Sequence, residues 1–459
     1  MNAVAASPTP ASIWRVAAVA MLGSLLVQLD ATIVNVSLSP LAADLRASLS
    51  TIQWVTSGYL LALTFALPLS GWLVERMGAK RLYIGCFAVF TLSSALCALA
   101  WSAASLIAFR LLQGASGGVL APMAQLIMKR AAGSRFSRVA GYAAVPVLLG
   151  PLLGPVLAGA LLHWGSWRWL FVVNLPVGVL ALVLAAWFLP WEPPTRTGRR
   201  LDWVGLLLLS PGLSLMLFGL VRLPGPSGFA AAVAGASLLA CFVALQRRKG
   251  AEALLDLDLF RGRAFRAASI AQFLGNGVMF AGQMLIPLFL IDALGRSPAA
   301  MGWMMAPMGL GLLIVMPSMG FLTARLGERR VAVAGASLAL VSALGLALLA
   351  ATRLPMAVLA AILLARGLGL GAVGIPSLSV AYASIAPEAL PMATTTLNIV
   401  QRIGGPTLTT LCAVGLSALL HGVAAAHAAH AWAGAFALLA ALHGLMVMAV
   451  AALPRRAEP

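Results

Sequence analysis

Residues 71–81 read GWLVERMGAKR, and residues 320–330 read GFLTARLGERR. Both have glycine at the first place, arginine at the sixth, glycine at the eighth and two bases at the tenth and eleventh. A bias of positive charge toward one side of a membrane explains the bases of two ordinary turns, but not their matched glycines. Each copy follows the second apolar stretch of its half, so the pair predicts one six-helix unit used twice.

The composition agrees that these helices sit in lipid. The 459 residues are 61% hydrophobic and 9% charged, with a mean hydropathy of +0.99, outside the range of water-soluble domains. Apolar runs long enough to cross about 30 Å of hydrocarbon recur along the chain. They are expected at 13–37, 51–73, 82–100, 104–127, 138–162, 169–189, 201–221, 229–245, 265–290, 300–323, 331–350, 354–381, 393–420 and 430–453. The expected fold is an all-α polytopic membrane protein with 14 transmembrane helices: two six-helix repeats with two extra helices between them. The corresponding division is an N-terminal bundle at 1–190, a linker carrying the extra pair at 191–262, and a C-terminal bundle at 263–459.

A net charge of +18 invites a nucleic-acid partner until its distribution is followed. With both termini cytoplasmic, the inner loops carry twenty-two Lys and Arg residues and the outer loops five: Arg46, Arg168, Arg222, Arg296 and Arg353. That asymmetry is topological, and no nucleic acid is implied. Arg110, Arg366 and Arg402 remain inside helices. Cys86, Cys97, Cys241 and Cys412 form neither a CxxC pair nor a metal frame, and His421, His427 and His430 lack an acid or cysteine beside them, so no metal is expected. The first dozen residues lack a basic n-region, and no cleaved leader is expected.

Within this apolar chain Asp30, in LDATIVNVSLSP (29–40), is the one acid deep in an expected helix. It lies about seven residues, or roughly 10 Å, from the outer end. Carboxylates at such depth usually serve a function. Arg110 reaches a similar depth from the same side, which leaves two readings: a static ion pair joining two helices, or an acid that takes and releases a proton as its surroundings change. In the fifth helix Gly150, Pro151, Gly154, Pro155 and Gly159 remove side chains and backbone donors, suiting a bent helix that lets a neighbour approach. Asn35, Trp54, Tyr59, Gln113, Met123, Asn276, Phe280, Met284 and Met308 are candidates to line a cavity, since soft and aromatic side chains accept varied apolar shapes.

Several of these stretches together resemble the major facilitator superfamily, in particular its fourteen-helix drug:proton antiporters of the EmrB/QacA type, with the MdtD/HsrA-like branch nearest. GWLVERMGAKR resembles the family's loop motif, RLLQGASGGVLAP (110–122) its fourth-helix motif, and VPVLLGPLLGPVLAGAL (145–161) its antiporter motif. WRWLFVVNLPVG (167–178) and LDWVG (201–205) are also similar to stretches of this group. Glu75 stands where the family usually has aspartate, Ala324 replaces that acid in the second copy, and Pro146 replaces a glycine.

The resemblance implies a proton-coupled exporter of drugs or other lipophilic or cationic molecules in a bacterial inner membrane, working by alternating access. It needs no cofactor beyond the proton-motive force. Its partners are a small-molecule substrate, protons and the bilayer, with a periplasmic adaptor left open. Asp30 and Arg110 would carry proton coupling. Gly71, Glu75, Arg76, Gly78, Lys80 and Arg81, with Gly150, Pro151, Gly154 and Pro155, would form the conformational switch, and the glycine face of the fifth helix would meet the second half. The alternatives are a dedicated exporter of one metabolite or siderophore, and a membrane-embedded enzyme. The latter would need a nucleophile, base or metal cluster, and the sequence offers none.

Overall fold

The computed structural model describes residues 10–164, 166–191, 201–223, 225–249, 254–352, 355–421 and 428–454. All regular structure among them is helical. The first half holds α1 (Pro10–Ile33), α2 (Leu38–Asp44), α3 (Leu49–Ala66), α4 (Leu69–Met77), α5 (Ala79–Ala98), α6 (Ala103–Ala132), α7 (Phe136–Trp164), α8 (Trp169–Val172) and α9 (Asn174–Phe188). Next along the chain come α10 (Trp203–Val221) and α11 (Pro226–Lys249). The second half holds α12 (Arg263–Leu288), α13 (Pro298–Leu326), α14 (Glu328–Thr352), α15 (Met356–Ala383), α16 (Leu390–Leu420) and α17 (Ala428–Ala451). Among the described residues, 12 helical stretches are long and apolar enough to span a membrane, or 13 if the bent pair α3 and α4 is one span.

Two expected helices are broken. The second, expected as one rod over 51–73, bends by 58° between Ala66 and Leu69. Pro68 sits at the break, where it withholds a backbone donor and its ring opposes a straight helix. The first, expected to reach residue 37, leaves α geometry at Ile33 and passes through a 3-10 turn at Val34–Ser37 into α2. There the Ser37 hydroxyl donates to its own turn, to Val34 O at 2.8 Å.

Local chemistry sets many of the ends. Ser48 caps α3 by accepting from Thr51 N, Ser102 and Ser105 form a reciprocal capping box on α6, and Ser297 caps α13 ahead of Pro298. The eighth-place glycines of the repeated motif are also accounted for. Gly78 ends α4 at φ 79°, and Gly327 ends α13 at φ 80°. Side chains avoid that left-handed conformation, so the same sharp turn demands glycine in both halves.

The chain separates into two compact units. Unit 1 comprises Met1–Ser214, Arg248–Leu255 and Leu390–Thr395, and unit 2 comprises Leu215–Arg247, Asp256–Ala389 and Thr396–Pro459. In unit 1, α6 packs on α1, α3 and α5, while α9 packs on α1 and α5. In unit 2, α15 packs on α12, α13 and α14, while α17 packs on α12 and α14. For these helices the same set of neighbours recurs in both units. Two spots show how close the partners come. A Cβ on Gly114 of α6 would overlap the Tyr59 carbonyl of α3, and one on Gly367 of α15 would overlap the Met308 carbonyl of α13.

Candidate functional site

Asp30 and Arg110 meet in the interior of unit 1, each with 0% of its side chain exposed. Asp30 Oδ2 accepts from Arg110 Nη1 at 2.5 Å. Its other oxygen accepts from Gln113 Nε2 at 3.1 Å and from Asn174 Nδ2 at 2.8 Å. Arg110 also donates to Gln113 Oε1 at 2.8 Å and to the Val55 carbonyl at 3.1 Å. Behind them the Ser94 hydroxyl accepts from both amides and donates to the Phe171 carbonyl at 3.0 Å. The guanidinium lies 4.0 Å from the centre of the Tyr59 ring, an attraction strengthened by desolvation.

Five helices therefore contribute to one network around this carboxylate: α1 supplies Asp30, α3 Tyr59 and Val55, α5 Ser94, α6 Arg110 and Gln113, and α9 Asn174. The arrangement is built for the ionised acid, since three donors point at two oxygens. A proton on Asp30 would place an O–H against one of these donors and remove the charge that holds Arg110.

The candidate cavity residues are dispersed. Tyr59 and Gln113 belong to the ion-pair network, while Met123 and Met308 are buried core residues at 1% and 4% exposure. Trp54 and Phe280 are about half exposed. Asn276 donates to the Gln401 carbonyl at 2.5 Å. Met284, together with Leu288, Ala413, Leu416, Ser417, Leu420 and His421, lines a groove of about 440 Å³ in unit 2. The Asn35 side chain lies outside the described residues, as do those of Pro151 and Pro155.

Within unit 1, Gly150 and Gly154 face α1. A Cβ at Gly150 would crowd Gln28, and one at Gly154 would overlap Thr32 Oγ1. The Thr32 hydroxyl lies 3.4 Å from the Gly150 carbonyl, a contact that only bare backbone permits. Unit 2 repeats the device: a Cβ at Gly404 of α16 would overlap the Phe273 carbonyl of α12.

In the loop motif Lys80 donates to the Ala186 carbonyl at 2.7 Å, Arg76 lies over Trp72, and Arg81 stacks on Trp191 at 4.4 Å. Glu75 is half-buried in α4. Next to Gly71, Ser70 Oγ is 2.8 Å from Thr395 Oγ1, also in unit 1.

Asn174, Ser94 and His443 were missed. Asn174 lies in WRWLFVVNLPVG and His443 in ALHGL, each a polar residue inside an apolar run. That polarity was the available signal.

Residues 20–409 match the sequence profile described as Major Facilitator Superfamily. The chain is 35% identical over 412 residues to a Mycobacterium tuberculosis protein named multidrug resistance protein B homolog, covering 88% of this chain and 76% of that one. It is also 35% identical over 340 residues to a Cronobacter sakazakii protein named putative multidrug resistance protein MdtD, covering 72% and 71%. Among solved structures it resembles the human organic anion transporter MFSD10, with TM-score 0.64, 19% identity and 96% and 100% coverage. A double tryptophan mutant of XylE matches with TM-score 0.66, 15% identity and 95% coverage of each chain.

Proposed function

We propose that this chain, which belongs to the Major Facilitator Superfamily, is a proton-coupled exporter of drugs or other lipophilic or cationic molecules, with Asp30 as the coupling acid. Family membership makes it a multi-pass membrane transporter and not an enzyme. The observation that carries the finer reading is the fully buried Asp30, held as a carboxylate by Arg110, Gln113 and Asn174. In a helix core such an acid is costly and is a functional site by default. The names of the relatives support drugs as the substrate class. One proton moving down about 100 mV releases roughly 2.3 kcal/mol, enough for a substrate gradient of about fifty-fold.

The same reading makes the halves 1–190 and 263–459 the two moving bundles, places both termini in the cytoplasm of a bacterial cell, and makes alternating access the transport cycle. It counts fourteen spans: the stretch Ala103–Pro146 runs from α6 into α7, and these two helices are taken as separate crossings. The α10–α11 pair is a peripheral insertion, in keeping with the slight burial of α11. The motif at Gly71–Arg81 acts as the switch through the tie of Lys80 to α9 and that of the adjoining Ser70 to Thr395.

The test is drug-induced proton flux in proteoliposomes carrying a pH gradient, with lipophilic cations and neutral drugs. Wild type is expected to dissipate the gradient and Asp30→Asn to lose that response. Equal responses would make Asp30 structural, and no response to any drug would point to a single-metabolite exporter.

A further inference from the structure

We propose that His443 is a second proton-binding site, in unit 2, whose occupancy decides whether α15 and α17 stay latched together. His443 and Arg366 are both 0% exposed. His443 Nδ1 lies 2.7 Å from the Leu439 carbonyl one turn earlier. A carbonyl only accepts, so Nδ1 carries the ring hydrogen and Nε2 is left with a lone pair. That lone pair faces Arg366 Nη1 at 3.3 Å, and a guanidinium only donates. Both contacts thus assign the same neutral tautomer. A second proton has one place to go, the nitrogen that holds Arg366. Once there it leaves donor against donor and cation against cation, so the proton and the latch exclude each other.

The surroundings sharpen the effect. Arg366 donates through Nη2 to the Val278 carbonyl at 2.8 Å, and its buried Nε has no hydrogen-bond partner. Gly282 of α12 stands against the guanidinium, and a Cβ there would collide with it. In unit 1 the first helix presents Asp30 to Arg110, whereas here the matching helix presents bare backbone. A proton reaching the first site removes a charge, but one reaching His443 adds a charge beside a cation that no carboxylate among the described residues pairs with.

The charges on the packed elements stand elsewhere. On α12, Arg263 and Arg266 lie in the first turns, with Arg266 twelve residues before Val278, about 18 Å of helix. On α14, Glu328, Arg329 and Arg330 open the helix, with Glu328 accepting from Ser379 Oγ at 3.0 Å. Asp292, in the π-helical turn after α12, is exposed, as is His430 at the start of α17. On α15 Arg366 is the one charged side chain, and on α16 Arg402 is half-buried while the Cys412 thiol is buried within electrostatic reach of Arg366.

This inference deepens the proton-coupled reading and rests on it only for its transport consequence. The test replaces His163, His421, His427 and His430 with Gln, leaving His443 as the sole histidine, with its ring 15N-labelled in lipid nanodiscs. The 15N spectrum is followed from pH 8 to pH 5, with and without tetraphenylphosphonium. The expected result is one protonated and one bare ring nitrogen at pH 8, converting to two protonated nitrogens in at least one condition at low pH. A bare nitrogen that persists to pH 5 in both conditions overturns the proposal. In proteoliposomes His443→Gln, which keeps an acceptor for Arg366 but takes no proton, is expected to lower drug-driven proton flux at least tenfold. Wild-type flux in that variant also overturns it. If wild type itself shows no drug-driven flux, the export reading fails and the NMR titration alone decides the role of His443.

Discussion

Replacing Asp30 by Asn, Arg110 by Gln, and then both together separates a proton carrier from a static clamp. An Asn at position 30 keeps one acceptor oxygen and turns the other into an NH2 donor. With the oxygen left facing Gln113 and Asn174, the new donor faces Arg110 Nη1, which in the native protein sits 2.5 Å from the carboxylate. The charge-assisted bond, about 1.5–3 kcal/mol, is lost, and a fully buried guanidinium is left without an anion. Together these amount to about 3–5 kcal/mol, the usual cost of removing one partner of a buried pair. A neutral interhelical bond in a membrane averages only about 0.6 kcal/mol, so the two magnitudes are distinguishable by equilibrium unfolding in mixed detergent micelles. The double variant carries neither charge and is expected to regain most of the loss, giving a coupling energy above about 2 kcal/mol in the cycle. Transport supplies the second reading. If Asp30 carries the proton, the double variant is stable but still uncoupled. Recovery of drug-driven proton flux together with stability would refute the carrier role, and a loss near 0.6 kcal/mol in Asp30→Asn would refute the buried-pair energetics.

Gly114→Ala is expected to destabilise the protein by about 1–3 kcal/mol of overpacking, read as a lower thermal unfolding midpoint, because its Cβ overlaps the Tyr59 carbonyl; Gly85→Ala, which meets nothing within 4 Å inside α5, should leave the midpoint unchanged or raise it, since alanine is the better helix former. Where α2 meets the start of α8, the Trp167 indole at 2.7 Å and then the Arg168 guanidinium at 3.1 Å donate to Asp44 and hold its carboxyl below the ordinary 3.8. A carboxyl lowered by folding stabilises above its unfolded pKa and loses that contribution as the pH falls. Asp44→Asn should therefore melt earlier than wild type at pH 7, with the gap closing as the pH drops below 3.8; a gap that is constant with pH would contradict this. Asp202 accepts from Gly205 N at 2.8 Å, capping α10, and from Lys249 Nζ at 2.5 Å. Asp202→Ala is expected to cost about 1 kcal/mol for the cap alone and to expose the α10–α11 pair to limited proteolysis.

The sequence by itself determined the solvent, the number of repeats and the identity of the first buried acid. These follow from quantities that sum along a chain: hydropathy over about 20 residues, the sidedness of Lys and Arg, and a motif seen twice. A lone carboxylate such as Asp30 stands out because its cost in hydrocarbon is large wherever it points. Tertiary structure decided who meets whom. Successive residues on a helix differ by about 100° in direction, so a span of known limits still leaves the facing of Asn174, Ser94 and His443 open. A polar residue inside an apolar run marks a candidate without naming its partner, and only the packing of α9 on α5 and of α17 on α12 and α14 placed Asn174 beside Asp30, Ser94 beside Gln113 and His443 beside Arg366. The glycines of α7 show the same division. Their spacing foretold a close approach, but the partner, α1 in the same half, depended on the rotation of one helix about its axis, which no local pattern specifies.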